Sequence, residues 1–221
     1  HASSHTGELF PVKEISQLCR KRKIISVLDL AQSVGIKNIN LSEIECDFAL
    51  ISSVKWLFSG PGACFLWLSK NMIHNCHPKD RGWFSHENPF SKDPYNFSFA
   101  NDASRFWGGT PNVLPYAHLV DSLKLILEIG QDYIYKHNLK LRSFLSEIFL
   151  ENKIDILNPK DEKFSSGTLI LKEKEKLKSY LESQKIIFDS CPEGVRISPH
   201  LYNSESEILS LISKFKSYKS S

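Results

Sequence analysis

The chain has 221 residues, of which 41% are hydrophobic and 24% charged, an ordinary globular composition that suffices for one large or two small domains. The net charge of +3 is too small to indicate nucleic-acid binding, and the basic run Arg20–Lys23 is interpreted as a solvated helix end. No apolar stretch approaches the roughly 20 residues of a membrane span, and no secretory signal is visible. Five cysteines without a Cys-x-x-Cys pair indicate a reducing compartment, the cytoplasm.

The first part of the chain alternates between helical and apolar segments. Pro11–Lys23 is predicted to be a helix, because a proline suited to a first turn precedes an apolar stripe at helical spacing. Three apolar runs are predicted to be strands, the first of them buried on both faces: Ile24–Leu30, Asp47–Ser53 and Ala63–Ser69. This order predicts an α/β fold, in which ligands bind beyond the carboxyl ends of the strands.

The rest of the chain begins with residues 71–111, which show no clear period and are rich in Pro, Asn, Asp and aromatic residues. A loop of that length in a compact protein is usually functional or part of an interface. Val113–Glu151 is predicted to be helical, with a break near Gly130. A small α/β domain is predicted to follow, with strands at Thr168–Leu171, Ile186–Asp189 and Val195–Ser198 and helices at Lys174–Gln184 and Glu205–Tyr218.

Three polar residues fall at the ends of the predicted strands: Asp29, Ser52 and Lys55. A lysine just after a buried strand is expected to be partly desolvated, which makes its amine a usable nucleophile for a Schiff base. Each residue taken singly also has an ordinary interpretation. Lys55 fits a surface lysine that extends from a strand end, and Asp29 fits a cap for the next helix.

Five blocks in order resemble the class V aminotransferase family of pyridoxal-phosphate (PLP) enzymes, which includes cysteine desulfurases, kynureninase and isopenicillin N epimerase. The blocks are His1–Pro11, Leu28–Gly35, Ser52–Gly62, Phe106–Asn112 and Val195–Asn203. The resemblance covers essentially the whole chain and implies an α/β fold of PLP fold type I. It implies the C-terminal part of the large PLP-binding domain at 1–113, a connecting helix at 114–152 and a small C-terminal domain at 153–221.

The same resemblance implies how this chain holds the cofactor ring. Lys55 matches the lysine that forms the Schiff base with PLP. Asp29 matches the carboxylate that keeps the pyridine nitrogen protonated, so that the ring accepts electrons from the substrate. Gln32 matches a residue that hydrogen-bonds the phenolic oxygen of the ring, and Ser4, where many relatives have Asn, is expected to assist there.

Other matched residues concern the cofactor phosphate and the substrate. Ser52 matches a phosphate-binding hydroxyl, and Thr110 matches a phosphate contact given across a homodimer interface to the neighbouring subunit's cofactor. Arg196 matches the guanidinium that binds the substrate carboxylate in a bidentate fork. The alternative for Arg196 is a purely structural ion pair with a nearby acid such as Glu193.

The chain also departs from the family pattern. Val54 stands where many relatives have a phosphate-contacting His or Tyr. The family chain extends upstream of His1, so this chain is expected to carry half a site and to be inactive alone. His74, Cys76 and His77 are clustered, but no second half at zinc spacing follows, so no metal is expected.

The sequence therefore predicts a PLP-dependent enzyme that acts on an amino-acid substrate through a Lys55 Schiff base, as an aminotransferase or a kynureninase-like hydrolase or lyase. The block Arg81–His86 resembles a stretch of kynureninase and favours that direction. A cysteine desulfurase-like lyase is one alternative, although Cys191 does not match the desulfurase nucleophile. A non-catalytic dimerising relative is the other. No nucleic-acid or membrane partner is expected.

Overall fold

The computed structural model describes residues 1–93, 95–172 and 175–218, without the side chains of Lys216 and Ser217. The chain divides into two compact units. The lysine unit, which carries Lys55, comprises Pro11–Ala31 and Asn40–Leu123. The arginine unit, which carries Arg196, comprises His1–Phe10, Gln32–Ile39 and the described part of Lys124–Ser221. The domain boundaries inferred from the resemblance stay predictions.

A three-stranded sheet lies in the lysine unit, with strands β1 (Val27–Asp29), β2 (Phe48–Ser52) and β3 (Cys64–Leu68) in that order. β1 runs parallel to β2, with Asp29 opposite Leu50. β3 runs antiparallel to β2, with Cys64 opposite Ser52. The carboxyl ends of β1 and β2 therefore meet at one edge of the sheet, and β3 ends at the opposite edge.

The helices of the lysine unit are short. They are α1 (Val12–Lys21), α2 (Leu41–Ile44) and α3 (Lys70–Asn75), with 3₁₀ turns at Trp83–Ser85 and Ala103–Phe106. α4 (Val113–Ile129) contributes residues to both units. The predicted helix at Pro11–Lys23 is confirmed; it ends before Lys23, whose φ of 56° is left-handed.

The first apolar run was expected to form a strand buried on both faces from Ile24 onward, and that expectation is wrong. β1 begins only at Val27, because the Ser26 backbone N–H is donated to the Asp47 carboxylate at 2.8 Å, and Ile24 and Ile25 are exposed. One face of the sheet is also open: Val27 is 59% exposed and Leu50 is 46% exposed.

The sheet of the arginine unit is antiparallel throughout, with β4 (Leu169–Leu171), β5 (Asp189–Cys191) and β6 (Gly194–Ile197) in the order β4-β6-β5. Besides the end of α4, the helices of this unit include α5 (Gln131–Glu151), α6 (Glu175–Ser183) and α7 (Glu205–Tyr218). Leu145, Phe149 and Phe215 are fully buried in the core that the sheet and helices share. The predicted break at Gly130 is confirmed, since this residue separates α4 from α5 with φ +89°.

One predicted strand of this unit is displaced along the chain. The sequence placed it at Ile186–Asp189, whereas β5 occupies Asp189–Cys191. The physical reason is the tight hairpin with β6, which pairs Cys191 with Gly194 and leaves Ile187 97% exposed. The other two strands and the last helix lie where they were predicted. The first residue of the predicted helix Lys174–Gln184 lies outside the described residues.

Within the described ranges, none of the helices has both the length and the apolar character that a transmembrane segment requires.

Candidate functional site

Lys55 lies in the loop that follows β2. The next two residues, Trp56 and Leu57, are each only 4% exposed and anchor the loop, while Val54 and Lys55 are exposed. The expectation that the Lys55 amine is partly desolvated is therefore wrong for these 221 residues. The physical reason is the alternation of the loop, which turns its two large apolar side chains inward and the lysine outward.

A buried serine closes this loop. The Ser53 hydroxyl donates to the Ala63 carbonyl at 2.7 Å, and the Ser53 carbonyl accepts from the Ser59 N–H at 3.1 Å. Ser53 is fully buried, whereas its neighbour Ser52 is only partly buried. The sequence pattern indicated Ser52 and gave no sign of a role for Ser53. Successive strand residues point to opposite faces, so only one serine of the pair could face the outside.

Asp29 is the last residue of β1 and is exposed. Its Oδ1 accepts a hydrogen bond from the Ala31 N–H at 2.8 Å, which fixes the side chain beyond the strand end. Asp29 pairs with Leu50 in the ladder, and Ser52 lies two residues further along β2. Standard strand spacings put the Cα atoms of Asp29 and Ser52 about 8 Å apart. Asp29, Ser52 and the Lys55 loop thus share one edge of the sheet.

Two hydroxyl groups of α4 donate hydrogen bonds to the segment that contains the lysine loop and the start of β3. The Ser122 hydroxyl donates to the Phe58 carbonyl at 2.9 Å, and the Tyr116 hydroxyl donates to the Cys64 carbonyl at 3.2 Å. Gly62 has φ +101°, and a Cβ there would lie 3.0 Å from Cγ of Pro115. Glycine at position 62 is therefore required both by its backbone conformation and by its close packing on the helix.

Thr110 is exposed and follows the glycine pair Gly108 and Gly109. Its loop packs against a second conspicuous block of the sequence, because a Cβ on Gly82 would lie 1.4 Å from the Gly108 carbonyl oxygen. The Arg81–His86 block and the Thr110 loop are therefore neighbours, although 26 sequence positions separate Gly82 from Gly108. Both blocks stand out in the sequence, but the sequence gives no sign that they are in contact.

The Arg81–His86 block also borders a cavity of about 240 Å³, whose lining includes Arg81, Trp83, His86 and Phe97. The Arg81 guanidinium lies 5.3 Å from the ring centre of Phe97, within the range of a cation–π contact. The His86 Nδ1 accepts from the Asn88 N–H at 2.9 Å, which leaves the proton of a neutral ring on Nε2. The cavity thus combines aromatic walls with a guanidinium and an imidazole.

Arg196 lies on β6, directly opposite Asp189 on β5. Its Nη2 donates to the Asp189 carboxylate in an ion pair, and its Nη1 donates to the Ser4 carbonyl at 3.4 Å. An acid does pair with Arg196, but it is Asp189. Glu193, the acid considered from the sequence, lies 3.4 Å from Nδ1 of His5 instead.

Ser4 is thus brought to Arg196 through its backbone carbonyl. Gln32 is partly buried in a turn at the start of the segment Gln32–Ile39. Their expected roles at the cofactor ring stay predictions.

Asn158, which was not predicted from the sequence, connects the N-terminal segment to β4. Its side-chain amide donates to the Thr168 carbonyl at 2.8 Å and the Gly7 carbonyl at 3.3 Å, and its Oδ1 accepts from the Ile170 N–H at 2.8 Å. Gly7 has φ +66°, and a Cβ there would overlap the Asn158 amide. This contact holds the stretch that carries Ser4, and a single Asn outside the predicted strands and helices gives no signal of it.

Lys37 borders a separate cavity of about 390 Å³ in the arginine unit. Its ammonium lies 4.2 Å from the ring centre of Tyr135. Burial lowers the pKa of Lys37 to about 8, although the Glu162 carboxylate acts in the opposite direction. Burial also raises the pKa of the Tyr135 hydroxyl.

His74, Cys76 and His77 do not converge on a metal site. In the part of the chain that the structure describes, no group of three or more His, Cys, Asp or Glu side chains is arranged to hold a metal ion.

Comparisons with known proteins identify relatives that match nearly the whole chain. A kynureninase of Shouchella clausii (strain KSM-K16) is 27% identical over 219 residues, which cover 96% of this chain and 51% of the relative. The chain spans about half the length of the curated relatives it matches. Among solved structures, the apo cysteine desulfurase of Thermococcus onnurineus NA1 is similar with a TM-score of 0.89 and 23% identity, over 100% of this chain and 59% of that one.

A further similar structure is a C-DES mutant with glycine covalently linked to its PLP cofactor. It has a TM-score of 0.83 and 21% identity, over 97% of this chain and 58% of that one. Likeness at these identities shows the fold, and the chain has the α/β architecture of PLP fold type I. The pattern of the family described as aminotransferase class-V matches residues 1–211. The chain belongs to the aminotransferase class-V family.

Proposed function

We propose that the full-length protein is a PLP-dependent enzyme that acts on an amino-acid substrate. One observation carries this proposal: the parallel pairing of β1 and β2 puts Asp29, Ser52 and the Lys55 loop at one edge of the sheet. The Lys55 amine suits the aldehyde of PLP, the Asp29 carboxylate suits its pyridine nitrogen, and the Ser52 hydroxyl suits its phosphate. The relatives that match over nearly the whole chain support it.

PLP supplies an aldehyde that a lysine can bind covalently and a ring that accepts electrons from the substrate α-carbon. The residues of this chain would hold the cofactor and bind the substrate. Lys55 Nζ would attach the cofactor, and the Asp29 carboxylate, whose Oδ1 accepts a hydrogen bond from Ala31 N–H, would hold a proton on the pyridine nitrogen. Arg196 receives the substrate carboxylate.

We favour a kynureninase-like hydrolase or lyase among the activities of the family. The aromatic walls of the cavity beside Trp83, together with Arg81 and His86, suit a substrate with an aromatic side chain. The experiment is turnover of L-kynurenine by the full-length protein loaded with PLP, with L-cysteine and with L-alanine plus glyoxylate as alternative substrates. The expected result is hydrolysis of the Cβ–Cγ bond of kynurenine, in which one water is consumed and 2-aminobenzoate and L-alanine are released. Sulfide release or transamination alone would replace this assignment with a desulfurase or an aminotransferase.

We further propose a homodimer in which the exposed Thr110 hydroxyl serves the neighbouring subunit's cofactor phosphate, and a cytoplasmic location that suits five unpaired cysteines. The matched test of the Thr110 role is Thr110→Val, which removes the hydroxyl and keeps the shape. Weaker PLP binding with an unchanged dimer mass in light scattering supports the role. A monomeric full-length protein, or unchanged PLP affinity in the variant, contradicts it.

A further inference from the structure

Arg196 already holds a carboxylate that belongs to the protein itself. Asp189 and Arg196 are direct partners across the β5–β6 ladder, so their side chains lie on the same face of the sheet. The Arg196 Nη2 donates to Asp189 Oδ2. A chemical equivalent of the substrate carboxylate therefore contacts the guanidinium before any substrate arrives.

Because of the geometry of the guanidinium, Asp189 and a substrate carboxylate compete for the same nitrogen of Arg196. A carboxylate can engage a guanidinium in a fork through Nη1 and Nη2 or through Nε and Nη2, so Nη2 takes part in both. Nη2 is the atom that contacts Asp189, and Nη1 already donates to the Ser4 carbonyl. The Nε of Arg196 is buried and has no hydrogen-bond partner among the described residues. A second carboxylate would thus share Nη2 with Asp189 and be repelled by it.

The two partners differ in their freedom to move. The Arg196 side chain is 19% exposed and is held by the Ser4 carbonyl, whereas the Asp189 side chain is 60% exposed. Rotation of Asp189 into water costs little because most of its surface is already hydrated, while Arg196 stays in place. Asp189 also balances the positive charge of the mostly buried Arg196 guanidinium when no ligand is bound.

We propose that Asp189 is a displaceable counter-ion of Arg196, which the carboxylate of an amino-acid substrate must replace. This inference rests on the proposed function, because it takes Arg196 as the receptor of the substrate carboxylate. Asp189 then sets how tightly carboxylates bind without contacting the substrate in the bound state. Its removal is expected to tighten binding, the reverse of the effect of removing a residue that merely supports Arg196.

The test compares Asp189→Asn with the wild type in the full-length protein loaded with PLP. The probe is benzoate, measured by calorimetric titration, with benzamide as the uncharged analogue. Asp189→Asn should bind benzoate roughly two- to fivefold more tightly, the range expected for loss of a partly exposed ion pair, and should bind benzamide as the wild type does. Glu193→Gln, which removes the charge of the other acid of the same hairpin, should leave benzoate binding unchanged.

Each remaining outcome decides against the proposal. If Asp189→Asn binds benzoate equally or more weakly, Asp189 is a bystander or a support of Arg196. If Arg196→Lys binds benzoate as well as the wild type, Arg196 is not the carboxylate receptor, and both this inference and that part of the proposed function fail. If PLP attaches normally at Lys55 but Asp189→Asn binds benzoate more weakly than the wild type, this inference fails and the proposed function stands.

Discussion

The backbone of Gly82 lies so close to Gly108 that a Cβ on Gly82 would be 1.4 Å from the Gly108 carbonyl oxygen. This contact joins the Arg81–His86 block to the loop that carries Thr110. The φ of Gly82 is −145°, which any residue can adopt. Glycine is therefore required here because there is no room for a side chain, and not because of the backbone conformation.

Gly82→Ala is therefore expected to destabilise the full-length protein by about 1–3 kcal/mol, because a backbone carbonyl must shift to admit the methyl group. It should also weaken PLP binding if Thr110 contributes to the site. Gly109→Ala is the matched control, since nothing lies within 4 Å of a Cβ at Gly109. Thermal unfolding measures both, and an equal effect of the two substitutions would show that the close approach is unimportant.

The paired serines at the end of β2 should behave differently. Ser53→Ala removes a buried hydroxyl that donates to the Ala63 carbonyl at 2.7 Å, at an expected cost of about 1–2 kcal/mol in unfolding free energy. Ser52→Ala should change stability by no more than about 0.5 kcal/mol but should weaken PLP binding. Denaturant unfolding and PLP titration of both variants check this, and an exchange of the two phenotypes would refute the assignment.

This serine pair shows what the sequence could and could not predict. The order of helix and apolar runs was enough to place α1, β2, β3 and the break at Gly130, and the strand ends located Asp29, Ser52 and Lys55. Which serine faces inward depends on the register of β2 with β3.

Long-range contacts account for the other misses. The start of β1 is decided by the Asp47 carboxylate, which captures the Ser26 N–H. The position of β5 is decided by its pairing with Arg196. Neither partner is visible in the local pattern of apolar residues.

The open face of the lysine-unit sheet leads to a prediction about the full-length protein. Val27 and Leu50 are 59% and 46% exposed on this face, and the relatives are about twice as long as this chain. We expect part of the full-length protein to cover this face, so that Leu50→Asn costs about 2–4 kcal/mol, as for a buried leucine.

Ile187→Asn is the control for this prediction, because Ile187 is 97% exposed in the arginine unit. It should cost no more than about 0.5 kcal/mol. Chemical denaturation of the full-length variants decides the matter, and equal small effects at both positions would mean that the sheet face stays open to water.

Lys37 gives a pH-dependent prediction. Burial lowers its pKa from 10.5 to about 8 in the folded chain, so folding favours the neutral amine. Below about pH 8 the amine is protonated in both states, and its burial lowers the free energy of unfolding by the full amount. This destabilisation decreases as the pH rises toward 10.5, where the unfolded chain loses its proton too.

Lys37→Met should accordingly be more stable than the wild type near neutral pH, with an advantage that shrinks between about pH 8 and 10.5. The exposed Lys160, replaced by Met, should show no such trend. Unfolding free energies measured across this range test the idea. An advantage that is constant or grows with pH would contradict the cause assigned to the shift.

The most direct test of the whole account is to find where PLP attaches. The full-length protein is incubated with PLP, reduced with borohydride and digested, and the modified lysine is identified by mass spectrometry. Lys70 is the internal control, because it is also exposed and also follows a strand, but at the opposite edge of the sheet. The label is expected on Lys55, and its loss is expected in Lys55→Ala. A label on Lys70, labels spread over many lysines, or no label at all would contradict it.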